Sequence, residues 1–323
     1  MPKAVTLYRW DDESAPQLTS GTYSEIIEVI EACLVTGYGS KQPLGWTKLF
    51  TEATACCFQN KGAGCVVFSS NSGANDNKGV YLQGAQSATS STNLVRAGWK
   101  QSIKVHTGHN VNWMVLGTDT AVYVIFGYIA AYAIQTPKYF VSCFFGDLSN
   151  GISQDAGKFV ALSSFMDEDF SLETVTTIGT RTGRNLDFLN DIDGNSKKGV
   201  KIFDSDAANS FSLYVPEGPH LPVNTTSANS LGSISSNSLV AITMIFKNYE
   251  TSKDRAGEWV VASSLSPACR GTLPGMYNTL CAHPNDVIWP AFVNYGGQQH
   301  LVLRVTQIAR ASKLVINTEM WDD

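Results

Sequence analysis

The sequence predicts a mainly β protein with a minor α+β character, built as β-sandwich or barrel-like domains with one amphipathic helix near residues 23–35. Two observations support this class. Charged residues make up only 16% of the 323 residues, against about 25% in a typical globular domain. Short apolar runs recur between Ser, Thr, Asn and Gly, which is typical of strands joined by turns. The apolar fraction of 43% is high enough for a packed core.

The single helix is predicted from its capping pattern and its period. Thr22 is followed three residues later by Glu25, as in a capping box. Apolar side chains then recur at helical spacing, at Tyr23, Ile26, Ile27, Ile30, Cys33 and Leu34. Gly37 and Gly39 follow as stop signals. We expect this helix to bury one stripe against a sheet.

The remaining elements are predicted as strands, because each is a short apolar run bounded by turn residues. In the first half these runs are residues 53–59, 64–69, 79–83, 112–116, 122–126 and 139–145. In the second half they are residues 158–162, 200–203, 210–215, 238–246, 258–263, 300–305 and 314–317. A boundary at 152/153 would divide the chain into an N-terminal helix plus β domain, 1–152, and a C-terminal β domain, 153–323.

Charge and hydropathy argue against two classes of partner. The 23 Lys and Arg residues are spread thinly, whereas nucleic-acid binding needs them clustered on one face, so no nucleic acid is expected. The most apolar stretch, residues 121–134, is shorter than the roughly 20 residues of a membrane span. It is interpreted as buried strands, with no membrane insertion, and residues 1–11 lack the apolar core of a signal peptide.

The seven cysteines form an odd set without a CxxC pair, so free buried thiols are expected. Cys56 and Cys57 are adjacent and would point to opposite faces of a strand. The candidate metal ligands are the pairs His106/His109 and Cys281/His283. Each pair supplies two of the four ligands of a structural zinc, so no metal is predicted.

No motif for catalysis or cofactor binding is recognised. Residues 190–195 resemble a calcium loop but place Leu189 and Val200 at ligand positions, so the EF-hand pattern fails. The acidic run 167–169 is most simply a solvated turn. A nucleophile-elbow GxSxG and a phosphate-binding GxxxxGK[ST] are both missing from the sequence. The sequence therefore predicts that the protein is not an enzyme and takes no cofactor.

Three stretches of the sequence, which follow one another along the chain, together resemble a known protein family. The first covers residues 18–22 (Leu-Thr-Ser-Gly-Thr), 33–41 (Cys-Leu-Val-Thr-Gly-Tyr-Gly-Ser-Lys) and 45–48 (Gly-Trp-Thr-Lys). The second is residues 144–148 (Phe-Phe-Gly-Asp-Leu), and the third is residues 270–277 (Arg-Gly-Thr-Leu-Pro-Gly-Met-Tyr) with Leu280 and His283-Pro284. This series resembles a family of virion structural proteins of tailed bacteriophages. The chain departs from that pattern in its Ser/Asn-rich loop 224–237 and at Cys281.

The resemblance implies a multi-copy tail, baseplate-junction or neck protein that acts through contacts with copies of itself and with other virion proteins. It implies synthesis and assembly in the host bacterial cytoplasm and a final location in the virion, and it supplies no catalytic residue. One alternative is a receptor- or carbohydrate-binding tail tip protein, favoured by aromatic residues and Asn-rich loops. A third is a virion-associated hydrolase acting on cell-surface polymers.

Contacts between subunits are expected at the loop 37–47, the loop 224–237 and the turn 270–277. In the last of these, Pro fixes φ and Gly permits positive φ, which describes a rigid loop. The candidate contact residues are Trp46, Lys48, Arg270, Leu273, Pro274 and Tyr277. The alternative for each aromatic or Arg is packing within its own chain, because interfaces and cores use the same residue types.

Overall fold

The computed structural model describes residues 2–105, 111–127, 140–152, 154–163, 200–206, 209–217, 239–246, 268–279, 289–303 and 313–322. In these ranges the chain forms helix α1 (Tyr23–Glu31), a π-helical turn (Ala32–Thr36) and 21 strands. The strands up to residue 163 are β1 (Lys3–Ala4), β2 (Thr6–Arg9), β3 (Thr47–Glu52), β4 (Ala55–Gln59), β5 (Cys65–Ser70), β6 (Val80–Ala85), β7 (Ser87–Ser90), β8 (Asn93–Val95), β9 (Gln101–Ile103), β10 (Asn112–Gly117), β11 (Ala121–Gly127), β12 (Phe140–Asp147) and β13 (Phe159–Ser163). The later strands are β14 (Val200–Phe203), β15 (Phe211–Glu217), β16 (Leu239–Phe246), β17 (Cys269–Thr279), β18 (Phe292–Tyr295), β19 (Gln298–Leu303), β20 (Lys313–Asn317) and β21 (Met320–Trp321). The predicted mainly β class is confirmed.

Three antiparallel sheets are stacked face to face. The central sheet has the strand order β13-β12-β11-β10-β2. One hydrophobic core joins it and helix α1 to the five-stranded sheet β3-β4-β5-β6-β9. A second core joins its other face to the seven-stranded sheet β14-β15-β16-β17-β20-β19-β18. The central sheet is therefore covered on both faces.

This position explains why the middle of the chain is so apolar. Along β10, Trp113 and Val115 belong to the first core, whereas Met114 and Leu116 belong to the second. Successive side chains of a strand point to opposite faces, so a strand between two sheets must be apolar at nearly every position. All seven residues of β11 are buried. The described part of the 121–134 run is thus a buried strand, as predicted.

Helix α1 begins where the capping pattern predicts. Thr22 is the N-cap, and its hydroxyl accepts a hydrogen bond from the Glu25 N–H. The Glu25 carboxylate turns back and accepts the backbone N–H groups of Thr19, Ser20 and Gly21, which lowers the pKa of Glu25 despite its partial burial. The π-helical turn ends at Gly37, whose φ of 75° favours glycine.

Most of the predicted strands that fall on described residues are present, with shifted ends. Two further strands, β3 and β17, lie at the loop and the turn that the sequence predicted to contact other subunits. Strand β3 follows the loop 37–47 directly. Strand β17 replaces the rigid loop predicted at 270–277, which is a correction. Four residues of β17, 273–276, lie opposite the single residue Ile242 of β16, so the Leu-Pro-Gly sequence forms a bulge rather than an exposed turn. Residues 224–237 and 258–263 lie outside the described residues.

The central sheet extends across the boundary predicted at 152/153. Strand β13 lies after that boundary but pairs with β12, matching Cys143 with Ser163 and Asp147 with Phe159. Near the chain ends, β1 pairs with β21. The second core also mixes residues from before and after residue 152. The two halves therefore share a sheet and a core.

Candidate functional site

Trp46 packs inside the chain, which corrects its predicted role as a subunit contact. Its side chain is in the first core and the residue is 3% exposed. Its indole N–H donates a hydrogen bond of 3.0 Å to the Thr118 carbonyl, and its ring meets Phe145 and Phe159 edge to face. Because its N–H group is hydrogen-bonded and its ring is packed within the fold, this side chain is not accessible to a second chain.

Arg270, Leu273 and Pro274 are also buried, and the same correction applies to them. Arg270 is 0% exposed and pairs with Asp155, with its guanidinium 5.5 Å from the Tyr214 ring centre. Burial alone would lower the pKa of Arg270, but the hydrogen bond and charge of Asp155 raise it above its usual value. Leu273 lies in the second core, and the Pro274 carbonyl accepts the Tyr123 hydroxyl at 3.0 Å.

Lys48 and Tyr277 are half-buried and stay predictions as contact residues. The Lys48 Nζ lies 2.8 Å from the Glu31 carboxylate, so this side chain links strand β3 to helix α1. The Tyr277 ring meets the His300 ring at 6.2 Å between centres. Lys48 also lines a groove large enough to hold part of another molecule.

The Phe-Gly-Asp element of residues 145–147 is a structural junction. Asp147 is 3% exposed. Its carboxylate accepts the Asn60 side-chain amide at 2.9 Å and lies 2.9 Å from the Lys158 Nζ. The same Asn60 amide donates to the Thr120 carbonyl, and the Asn60 side-chain oxygen accepts the Gly64 N–H. This network joins the β4–β5 turn to the central sheet.

The cysteines that the structure describes are free thiols, as predicted. Cys33, Cys56, Cys57, Cys65 and Cys143 are buried and Cys269 is exposed. Burial raises the pKa of Cys56 to about 11 and raises that of Cys33 well above its usual value. A thiol that stays protonated at neutral pH is a weak nucleophile.

The other candidates for chemistry lie outside the described residues. These are His106, His109, Cys281, His283, the acidic run 167–169 and the loop 190–195. Among the residues that the structure does describe, no group of three or more His, Cys, Asp or Glu is placed to hold a metal ion.

A cleft on the described surface lies between helix α1 and strand β3, and we call it the α1–β3 groove. It has a volume of about 490 Å³. Its lining consists of Ser14, Pro16, Tyr23, Ser24, Ile27, Glu28, Glu31, Ala32, Thr36, Gly37, Tyr38, Lys48, Thr51, Glu52, Ala53 and Cys56. Tyr23, Ile27 and Cys56 are buried and form its apolar part, whereas Glu28, Thr51 and Glu52 are exposed.

Strand β3 borders this groove and is the end strand of its sheet. Among the strands that the structure describes, β4 is its one pairing partner. Among the described residues, no backbone hydrogen bond is recorded on its other side between Thr47 and Glu52. A bulge at Leu49 interrupts the pairing with β4, and Leu49 is 38% exposed. An end strand of this kind presents unpaired N–H and C=O groups to another chain.

Sequence reasoning missed most of this site. Of the predicted contacts, only Lys48 and the loop 37–47 lie at the groove, while Glu28, Thr51 and Glu52 were not singled out. The available signal was the sequence Thr-Lys-Leu-Phe-Thr-Glu of residues 47–52, where polar residues flank Leu49 and Phe50. Such a segment is too polar for a central strand but suits an edge strand.

No protein-family model matches this chain, and no curated protein matches it. In the part of the chain that the structure describes, no helix has the length and apolar character needed to cross a membrane.

Proposed function

We propose that this protein is a non-enzymatic structural component of a tailed-phage virion, present in several copies at the tail, the baseplate junction or the neck. It acts through contacts with copies of itself and with other virion proteins. The observation that carries the proposal is the open edge of β3 beside the α1–β3 groove, a surface suited to the addition of a second chain. The resemblance of the three sequence stretches supports the phage origin.

The stacking of three sheets favours a rigid structural role over a mobile one. The central sheet is packed on both faces, and buried charges tie distant segments together at Asp147 and at Arg270. A scaffold with such interior links holds its surface in one shape, which a repeated assembly contact requires.

The proposal is tested by locating the protein in the particle. Purified virions would be analysed by mass spectrometry for copy number and by electron microscopy with antibody against the chain. We expect several copies at the tail, the baseplate junction or the neck. Absence from purified virions would overturn the proposal, and labelling at fibre tips alone would replace it with the receptor-binding function.

Receptor or carbohydrate binding is the second candidate, and an aromatic patch at one end of the seven-stranded sheet favours it. Phe211 is 47% exposed and meets the Phe203 ring at 5.9 Å. The Lys201 ammonium lies 4.8 and 4.3 Å from the centres of these two rings. Loss of phage adsorption on changing Phe211→Ser, with particle assembly intact, would support this function.

A further inference from the structure

We propose that the α1–β3 groove binds an extended, positively charged segment of another virion protein, and that this segment pairs with the free edge of β3. The choice of a virion protein as partner rests on the proposed function. The chemistry of the segment rests on the groove alone, through its charge, its apolar part and its open strand edge.

The charge of the groove is negative. Two carboxylates, Glu28 and Glu31, and one ammonium, Lys48, face it, whereas the Glu52 carboxylate accepts the Ser91 N–H and hydroxyl on the other face of β3. Glu31 is neutralised by Lys48 at 2.8 Å. Glu28 is exposed, and among the described residues no cation pairs with it. A Lys or Arg of the bound segment would supply the missing positive charge.

The apolar part of the groove favours a segment in which apolar and basic residues alternate. Tyr23 and Ile27 are 7% and 8% exposed and lie beside Cys56. In an extended chain, every second side chain points the same way. A segment that alternates apolar and basic residues would therefore place its apolar side chains on Tyr23 and Ile27.

The free edge of β3 supplies backbone partners for such a segment. Main-chain hydrogen bonds to an open edge give affinity, and pockets for alternate side chains give specificity. Strand β3 spans six residues, so a bound segment of about the same length would become the sixth strand of this sheet.

A second copy of β3 is a poorer occupant than a separate basic segment. Lys48 pairs with Phe58, which lies in the first core, whereas Glu52 pairs with Ala55. Because the bulge at Leu49 shifts the pairing, Lys48 and Glu52 are on opposite faces of the strand. Two antiparallel copies of β3 would thus fail to bring Lys48 of one against Glu52 of the other.

The test uses the purified full chain and three synthetic nine-residue peptides, each with a fluorophore at its N-terminus. One peptide alternates Lys and Val, a second has Glu in place of Lys, and a third is the Lys peptide with alternate backbone amides methylated. Binding is measured by fluorescence anisotropy. We expect the Lys peptide to bind and the Glu peptide and the methylated peptide to bind at least tenfold more weakly.

Two charge reversals locate the binding. Glu28→Lys should weaken binding of the Lys peptide roughly fivefold, in line with the loss of one exposed ion pair and a new repulsion. Asp322→Lys, an equal charge change at an exposed residue that does not line the groove, should leave it unchanged. Circular dichroism would confirm that both variants fold, and Glu28→Gln provides a milder second variant.

Failure to bind the Lys peptide, or equal binding of the Lys and Glu peptides, would overturn the proposal. So would equal weakening by Glu28→Lys and Asp322→Lys, because the site would then not be the groove. Undiminished binding of the methylated peptide would show that the segment does not pair with β3, and this part of the proposal would be wrong. None of these outcomes bears on the location of the protein in the virion, so the proposed function fails or holds on its own test.

Discussion

Arg270 and Asp155 form a buried bidentate ion pair across 115 residues of sequence: the Arg270 Nε lies 2.9 Å from one carboxylate oxygen of Asp155 and its Nη2 lies 2.5 Å from the other. Their side chains are 0% and 1% exposed. This pair joins strand β17 of the seven-stranded sheet to the segment that precedes β13 of the central sheet.

Removing Arg270 should be among the most costly single changes in the protein. Arg270→Ala leaves the Asp155 carboxylate buried without its counter-ion, with the Gly157 N–H still donating to it, so we expect a loss of about 3–5 kcal/mol in unfolding free energy, measured by urea denaturation. The control is Lys61→Ala, which breaks the pair of Lys61, 72% exposed, with Asp119 and should cost less than about 1 kcal/mol. Equal losses in the two variants would contradict the structural role of the buried pair.

Asp147→Ala should loosen the turn between β4 and β5. The change removes the acceptor that orients the Asn60 amide, and Asn60 in turn accepts the Gly64 N–H. We expect a loss of about 1–3 kcal/mol and faster hydrogen exchange at the Gly64 amide. Asp147→Asn keeps one acceptor oxygen and should lose less. Unchanged exchange at Gly64 in Asp147→Ala would show that the network does not hold this turn.

Gly275→Ala should destabilise the protein more than Gly296→Ala, although both glycines have positive φ, 63° and 58°. A left-handed conformation costs a non-glycine residue about 1–2 kcal/mol, which applies to both. At Gly275 a Cβ would also lie 2.0 Å from the Trp321 ring, whereas at Gly296 it would meet nothing within 4 Å. Overpacking adds about 1–3 kcal/mol at Gly275 alone. Thermal denaturation compares the two variants, and equal melting temperatures would be the contrary result.

Stability should fall as the pH drops below about 6.5, in part because of His300. His300 is 1% exposed, and burial lowers its pKa, although the Gln298 carbonyl and Glu319 oppose this effect. The pKa of His300 is thus lower in the folded state than in the unfolded state. At a pH between these two pKa values, the unfolded state binds more protons. The contribution of His300 is fully present above the unfolded pKa and is lost as the pH falls towards the folded pKa.

The measurement is the unfolding free energy of the parent chain and of His300→Gln between pH 8 and pH 5, an interval of about three units around the usual histidine pKa. We expect the pH slope in this interval to be smaller in the variant, whatever its stability at pH 8. An identical slope in both proteins would assign the pH dependence to other groups.

The sequence by itself determined the strands whose apolar runs are bounded by turn residues, and the start of helix α1. Thr22 and Glu25 fixed the helix cap through local hydrogen bonds. The strands β4, β5, β10 and β11 could be predicted because each is a short, almost continuously apolar run bounded by turn residues, as a strand covered on both faces requires. The free state of the described cysteines, most of them buried, also followed from their odd number and from the lack of a CxxC pair.

Only the tertiary structure decided which residues are interior and which form the candidate site. Trp and Arg are residue types that are common at interfaces, but Trp46 and Arg270 find their partners Thr118 and Asp155 within the chain, 72 and 115 residues away in sequence. Local periodicity carries no information about such distant partners. The same holds for the groove, because the place of β3 at the edge of its sheet depends on how five strands pair. Burial of charge and exposure of an edge are properties of the assembled sheets, so no short segment encodes them.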